Sequence, residues 1–81
     1  MQITLQFYSQ VREIAGGREE KIELAEGATV TDLLRLLYQR HPGLEKWDRN
    51  LLVGAGLEFV GRDYRLQPNE AVAIMPPVQG G

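Results

Sequence analysis

The stretch Met75-Pro76-Pro77-Val78-Gln79-Gly80-Gly81 holds the residues of this sequence with the clearest chemical use. Gly80 and Gly81 lack Cβ atoms, so they can thread a channel too narrow for other residues and take backbone angles closed to them. A carboxylate on Gly81 is ionised at neutral pH, with an ordinary pKa near ~3.5, and is a poor electrophile until activated. From Met75 the tail reaches roughly 20 Å at ~3.3 Å per residue, far enough to enter a partner's cleft. Pro76 and Pro77 fix φ and lack amide donors, which stops a central strand at Met75. The expected working group is the Gly81 carboxylate. A glycine pair at a chain end fits a frayed or appended tail about equally well, and the tail alone does not choose between the two.

Few other residues offer chemistry. There is no cysteine, which removes disulfides, thiolate nucleophiles and cysteine-ligated metals and is compatible with a reducing cytoplasm. The single histidine, His41, gives neither metal-ligand spacing nor a Ser-His-acid arrangement, so no metal site is expected. His41 reads as a solvated residue at a helix end. Net charge is −2 with acids and bases interspersed, so nothing marks a nucleic-acid face. No apolar run approaches the ~20 residues of a membrane span, and Met1-Gln2-Ile3-Thr4 lacks the features of a secretion signal. At 81 residues the chain has room for one small core, burying about 60% of its unfolded surface. A deep enclosed active site is not expected.

The elements that must position the tail follow from periodicity. Residues 2–8 alternate, with Ile3, Leu5 and Phe7 inward and Gln2, Thr4, Gln6 and Tyr8 outward, as in a half-buried strand. Ser9 is placed to cap a short helix carrying Val11, Ile14 and Ala15, which Gly16-Gly17 ends. Residues 20–24 form a second strand with Ile22 and Leu24 inward. The strongest helix spans 30–40: Thr29 and Asp32 make a capping box, and Val30, Leu33, Leu34 and Leu37 form one apolar stripe. Pro42 stops it, and Trp47 is expected to cover an edge of the core.

Residues 51–55 form a third strand in which Gly54 and Gly56 suggest a bulge or a close backbone approach. A short strand at 57–60, a turn at 66–70 and a last strand at 71–75, with Val72 and Ile74 inward, complete the chain. This order implies an α+β domain over residues 1–75, one sheet against one main helix, followed by an extended tail at 76–81.

The strand running into Phe7-Tyr8-Ser9-Gln10-Val11-Arg12-Glu13, the Thr29-Val30 helix start and the close Glu70-Ala71-Val72-Ala73-Ile74-Met75-Pro76-Pro77-Val78-Gln79-Gly80-Gly81 together resemble the small subunit of molybdopterin synthase. The resemblance covers essentially the whole chain, and the Pro-Pro-Val-x-Gly-Gly ending is its specific part. It departs at Gly54-Ala55-Gly56, where that family is expected to show an asparagine near position 56. The resemblance implies a ubiquitin-like β-grasp fold with about five strands and one main helix.

It also implies a sulfur carrier in molybdenum cofactor biosynthesis that is not an enzyme alone. An adenylating enzyme of the ubiquitin-activating type would use ATP on Gly81, and a persulfide donor would convert it to a thiocarboxylate. The tail would then enter the large subunit of a heterotetrameric complex and give sulfur to a bound pterin. The chain itself would bind no cofactor, nucleic acid or membrane, and would work in the cytoplasm. Gly81 is the expected reactant. Asp32, Glu45 and Asp63 remain ordinary surface acids.

Parity adds a docking patch. Tyr8 and Met75 fall on the outward side of strands whose ends would lie together in a β-grasp sheet, and Phe59 either joins them or completes the core. Arg12 reads as a solvated helix residue. The expected partner-binding set is thus Tyr8, Phe59, Met75, Pro76, Pro77, Val78, Gln79 and Gly80. A thiazole-pathway sulfur carrier or a ubiquitin-like protein modifier would share the activation step with a different acceptor. A β-grasp interaction module with an inert tail is the reading from another class.

Overall fold

The computed structural model of the chain describes residues 1–77. The elements run β1 (Gln2–Phe7), α1 (Gln10–Ala15), β2 (Glu19–Glu23), α2 (Val30–Arg40), a 3₁₀ helix (Pro42–Trp47), β3 (Leu52–Ala55), β4 (Glu58–Phe59) and β5 (Ala71–Met75). The strands form one sheet in the order β2-β1-β5-β3-β4. β1 and β5 are parallel, whereas β1–β2, β3–β4 and β3–β5 are antiparallel. This mixed sheet with one main helix is the β-grasp arrangement that the resemblance implies.

Alternation decides what each strand buries. Ile3, Leu5 and Phe7 of β1, Ile22 of β2, Val53 of β3 and Val72 and Ile74 of β5 are all buried. They meet Val30, Leu33, Leu34 and Leu37, the apolar stripe of α2. Each such side chain contributes about 1.5–3 kcal/mol on burial, so the packing of α2 on the sheet is a large part of what holds the domain together. Leu44 and Leu66 close the core, and Trp47 packs at its edge as expected.

The start of α2 is fully provided for. Thr29 Oγ1 accepts from the Asp32 amide, and the Asp32 carboxylate accepts from the Thr29 amide, completing the capping box. The Val30 and Thr31 amides donate to the carbonyls of Tyr64 and Arg62. The 60–70 loop thereby takes up helix-terminal donors that would otherwise need water. The bond from the Thr29 amide, followed by that from the Thr29 hydroxyl, holds the Asp32 carboxyl below its ordinary pKa.

β1 ends at Phe7 and not at 8, β3 starts at Leu52 and not at 51, and β4 covers only Glu58–Phe59 of the expected 57–60; other details differ as well. Ser9 stands at the N-cap position of α1 but makes no side-chain cap bond, because its φ of 52° and ψ of −130° aim it elsewhere as the chain turns sharply out of β1. β2 begins one residue earlier than expected and ends at Glu23, leaving Leu24 half-buried just beyond the strand. Pro42 stops α2 and also starts the 3₁₀ helix from its first position, where a missing amide costs nothing. Gly56 has φ 65° at the tip of the β3–β4 hairpin, a left-handed conformation that glycine and asparagine share.

Candidate functional site

The site is built on β5, which lies between β1 and β3 near the middle of the sheet. Val72 and Ile74 point into the core, so Ala73 and Met75 lie on the open face, away from α2. Pro76 and Pro77 follow Met75 outside the strand. Val78, Gln79, Gly80 and Gly81 of the expected site lie outside the described residues.

The parallel pairing of β1 with β5 brings Phe7 opposite Ile74, and the Tyr8 amide donates to the Ile74 carbonyl at 3.2 Å. Tyr8 is therefore held beside the tail's base, as parity requires. A cavity of about 870 Å³ opens there, lined by Tyr8, Arg12, Glu13, Met75, Pro76 and Pro77 among others. Arg12 is half-buried and its Nε donates to the Phe7 carbonyl at 3.4 Å, so it is part of this wall rather than a fully solvated helix residue.

On the open face the register sets Gly54 between Ala73 and Phe59, and Leu52 opposite Met75. Phe59 is 67% exposed and Tyr8 42% exposed. Phe59 thus belongs to the surface patch and does not complete the core. Leu57, which the sequence reading left out of the patch, is fully exposed at the hairpin tip. The signal was present: an apolar residue next to Gly56 in a tight turn, where polar residues are the rule. Tyr8, Leu57, Phe59 and Met75 surround a smaller cavity of about 240 Å³ floored by Gly54 and Ala73. A cluster of exposed apolar side chains of this kind marks an interaction surface.

The ionisable groups elsewhere serve the fold. Tyr38 Oη and Arg62 Nη1 both donate to Asp48 Oδ1, tying α2, the 3₁₀ segment and the 60–70 loop together. These bonds, chiefly that from Tyr38, hold the Asp48 carboxyl below its ordinary value. His41 is not solvated. Its Nε2 lies 2.9 Å from Glu20 Oε1, and its ring stands edge-on to Phe7 with centroids 6.3 Å apart. Arg40 Nη1 donates to the other Glu20 oxygen at 2.9 Å. Burial pushes the Glu20 carboxyl up, but the bonds from His41 and Arg40 outweigh it and leave the pKa lowered. This clip joins the end of α2 to β2, a strand separated from β5 by β1. Glu45 and Asp63 are exposed. Among the described residues no group of three or more His, Cys, Asp or Glu side chains is placed to hold a metal, and no helix is long and apolar enough to cross a membrane.

The described residues thus show an exposed apolar cluster beside the base of the tail, and Glu20, Asp32 and Asp48 are held in contacts that cap or join elements of the fold. Comparison with known proteins places the whole chain among known families and folds. The model of the ThiS family matches residues 5–81. A molybdopterin synthase sulfur carrier subunit from Chlamydomonas reinhardtii is 34% identical over 83 residues, covering 100% of both chains. The small archaeal modifier protein 3 of Haloferax volcanii is 32% identical over 93 residues, again covering 100% of both. Among solved structures, the putative molybdopterin converting factor subunit 1 of Pyrococcus furiosus superposes with a TM-score of 0.87 at 28% identity, covering 96% of this chain and 99% of that one.

Proposed function

This chain belongs to the ThiS family, and on that premise we propose that it is the sulfur carrier subunit of molybdopterin synthase, with the Gly81 carboxylate as its reacting group. The observation that carries the reading is the extent of the family match. It runs through residue 81, so Gly80-Gly81 belongs to the matched sequence and is not an appendage. The relative from Chlamydomonas reinhardtii, aligned over the full length of both chains, supports the molybdopterin branch.

The chemistry follows from the carboxylate. Attack of Gly81 on ATP in an activating enzyme releases pyrophosphate and gives an acyl adenylate, whose carbonyl is electrophilic. The terminal sulfur of a persulfide donor displaces AMP, and a thiol reductant cleaves the resulting acyl disulfide to leave a C-terminal thiocarboxylate. In the large subunit that sulfur bonds to a carbon of the bound pterin precursor as a carbon–oxygen bond there breaks, and water then cleaves the acyl carbon–sulfur bond, leaving the sulfur on the pterin and restoring the carboxylate. ATP is thus spent on the activating enzyme, and this chain binds no cofactor of its own. The reaction is cytoplasmic in this reading, and the acids and bases of sulfur transfer belong to the large subunit.

The chain's own contribution is positioning. The Tyr8–Leu57–Phe59–Met75 face docks the partner, and Pro76 and Pro77, which lack amide donors, end the strand ahead of the tail. Removing apolar surface from water drives such docking without directional demands. Tyr8 and Phe59 supply large area at low entropic cost.

The test is the intact mass after incubation with activating enzyme, ATP and a persulfide donor. The expected result is exchange of one oxygen for one sulfur at the C-terminus, followed by sulfuration of precursor pterin when the large subunit is added. Deleting Gly81, or appending a residue after it, should abolish both while leaving thermal unfolding unchanged. An extended, untrimmed chain that still supports pterin sulfuration would refute the reading. A second reading, conjugation to lysines, is favoured by the likeness to the small archaeal modifier protein. It predicts covalent adducts with protein amines in the same incubation.

A further inference from the structure

A glycine inside an inner strand needs a reason. Gly54 lies in β3, which pairs with β5 on one side and β4 on the other. A glycine there offers no side chain to pack and loses more backbone freedom on folding than any other residue. Two causes within the domain would suffice, a left-handed backbone or lack of space. Gly54 has neither. Its φ lies outside the left-handed region, and a methyl built on its Cα meets Met75 Cε at 3.4 Å, the Glu58 carbonyl at 3.6 Å and Ala73 Cβ at 3.7 Å. These are ordinary van der Waals separations, and the nearest atom is the free end of a flexible side chain. The domain has room for alanine at this position.

What the missing methyl leaves is the floor of the cavity of about 240 Å³ between Tyr8, Leu57, Phe59 and Met75. That volume falls below the ~300–1,000 Å³ usual for small-molecule pockets and suits one large side chain. Among its lining residues Glu58 alone is charged. We propose that this cavity is a socket for a single apolar anchor, aliphatic or aromatic, projecting from the protein that receives the tail. The proposal rests on the carrier reading and specifies how the partner is gripped. Four residues follow Pro77 and reach at most ~13 Å, so a protein that closes on Gly81 must lie against the tail's base. Tyr8 and Met75 line both that base and the socket. The anchor and the tail therefore engage one continuous surface. A methyl at position 54 raises the socket floor and lifts the anchor out.

The test pairs a folding measurement with a binding measurement. Gly54→Ala should melt at the same temperature as the original chain or higher, since alanine restricts the unfolded chain without strain here. Its affinity for the cognate large subunit, read by titration calorimetry, should fall by about fivefold or more, as for loss of an anchor contact. Ala73→Val fills the same floor from β5 and should repeat the loss. If both variants bind within that limit, the socket is refuted. It is equally refuted if Gly54→Ala melts lower, because the glycine then serves the domain. Sulfuration of Gly81 is read on the same samples. Normal sulfuration and transfer with undiminished binding of the variants removes the socket and keeps the carrier. An original chain that is never sulfurated removes the carrier reading, and the socket with it.

Discussion

On the open face of the sheet, the β2–β1 half and the β5–β3–β4 half follow different rules. Across the first, Gln2 faces Glu23, Thr4 faces Lys21 and Gln6 faces Glu19, so every outward position is polar. Across the second, Leu52 faces Met75 and Gly54 sits between Ala73 and Phe59, with no charge in the row. Both halves cover the same core and the same helix. The difference cannot come from folding, which asks only that the inward positions be apolar. It fits the docking face proposed above, and broken alternation is here the more informative pattern.

The comparison is broken most directly by placing a charge in each half. Met75→Asp should weaken binding to the large subunit about a hundredfold or more, near 3 kcal/mol, because it buries an unpaired carboxylate at the interface centre. Gln6→Asp on the polar half should change affinity by less than about twofold, within the range of ordinary surface substitutions. Equal losses in calorimetric titrations would mean that the two halves are not distinct surfaces. Phe59→Ala comes next, with an expected loss of about tenfold in affinity and an unchanged melting temperature, since its ring is already exposed. A large drop in melting temperature would return Phe59 to the core.

Two further changes lie off this face and should show the reverse pattern. Thr29→Ala removes the cap of α2 and should cost about 1 kcal/mol in denaturant unfolding with binding unaltered. The smallest effect concerns Glu20. Its folded pKa is lowered, so its contribution to stability is present above the ordinary value of 4.5 and is lost as pH falls below it. Glu20→Gln should flatten that part of the acid unfolding curve and leave affinity at neutral pH as it was. An unchanged curve would show that the His41–Arg40 clip adds nothing.

How much was legible in the sequence depended on whether the deciding interaction was local. The bounds of α2 and β5 read correctly to the residue, because a capping box, an apolar stripe and proline stops all lie within a few positions of one another. The Tyr8–Met75 meeting was legible too, since parity and a parallel pairing suffice to place it. Ser9 was misread because cap residues are recognised by type, while the bond depends on a backbone angle set by the exit from β1. His41 was misread because its partner is Glu20, on a different strand. Phe59 stayed open until its pairing with Gly54 placed it on the open face, where its ring is exposed. Leu57 was overlooked because it was read as the first residue of a strand at 57–60, whereas it lies in the turn before β4.

The placement of β5 has a mechanical consequence. Bound on one side to β1 and on the other to β3, it has no free edge from which to peel away from the sheet. A tug on Pro76 and Pro77 loads both ladders together in shear, not one rung at a time. The globular body can therefore serve as a rigid handle: whatever draws the tail in moves the whole carrier, and no pull on the end is dissipated by unravelling it.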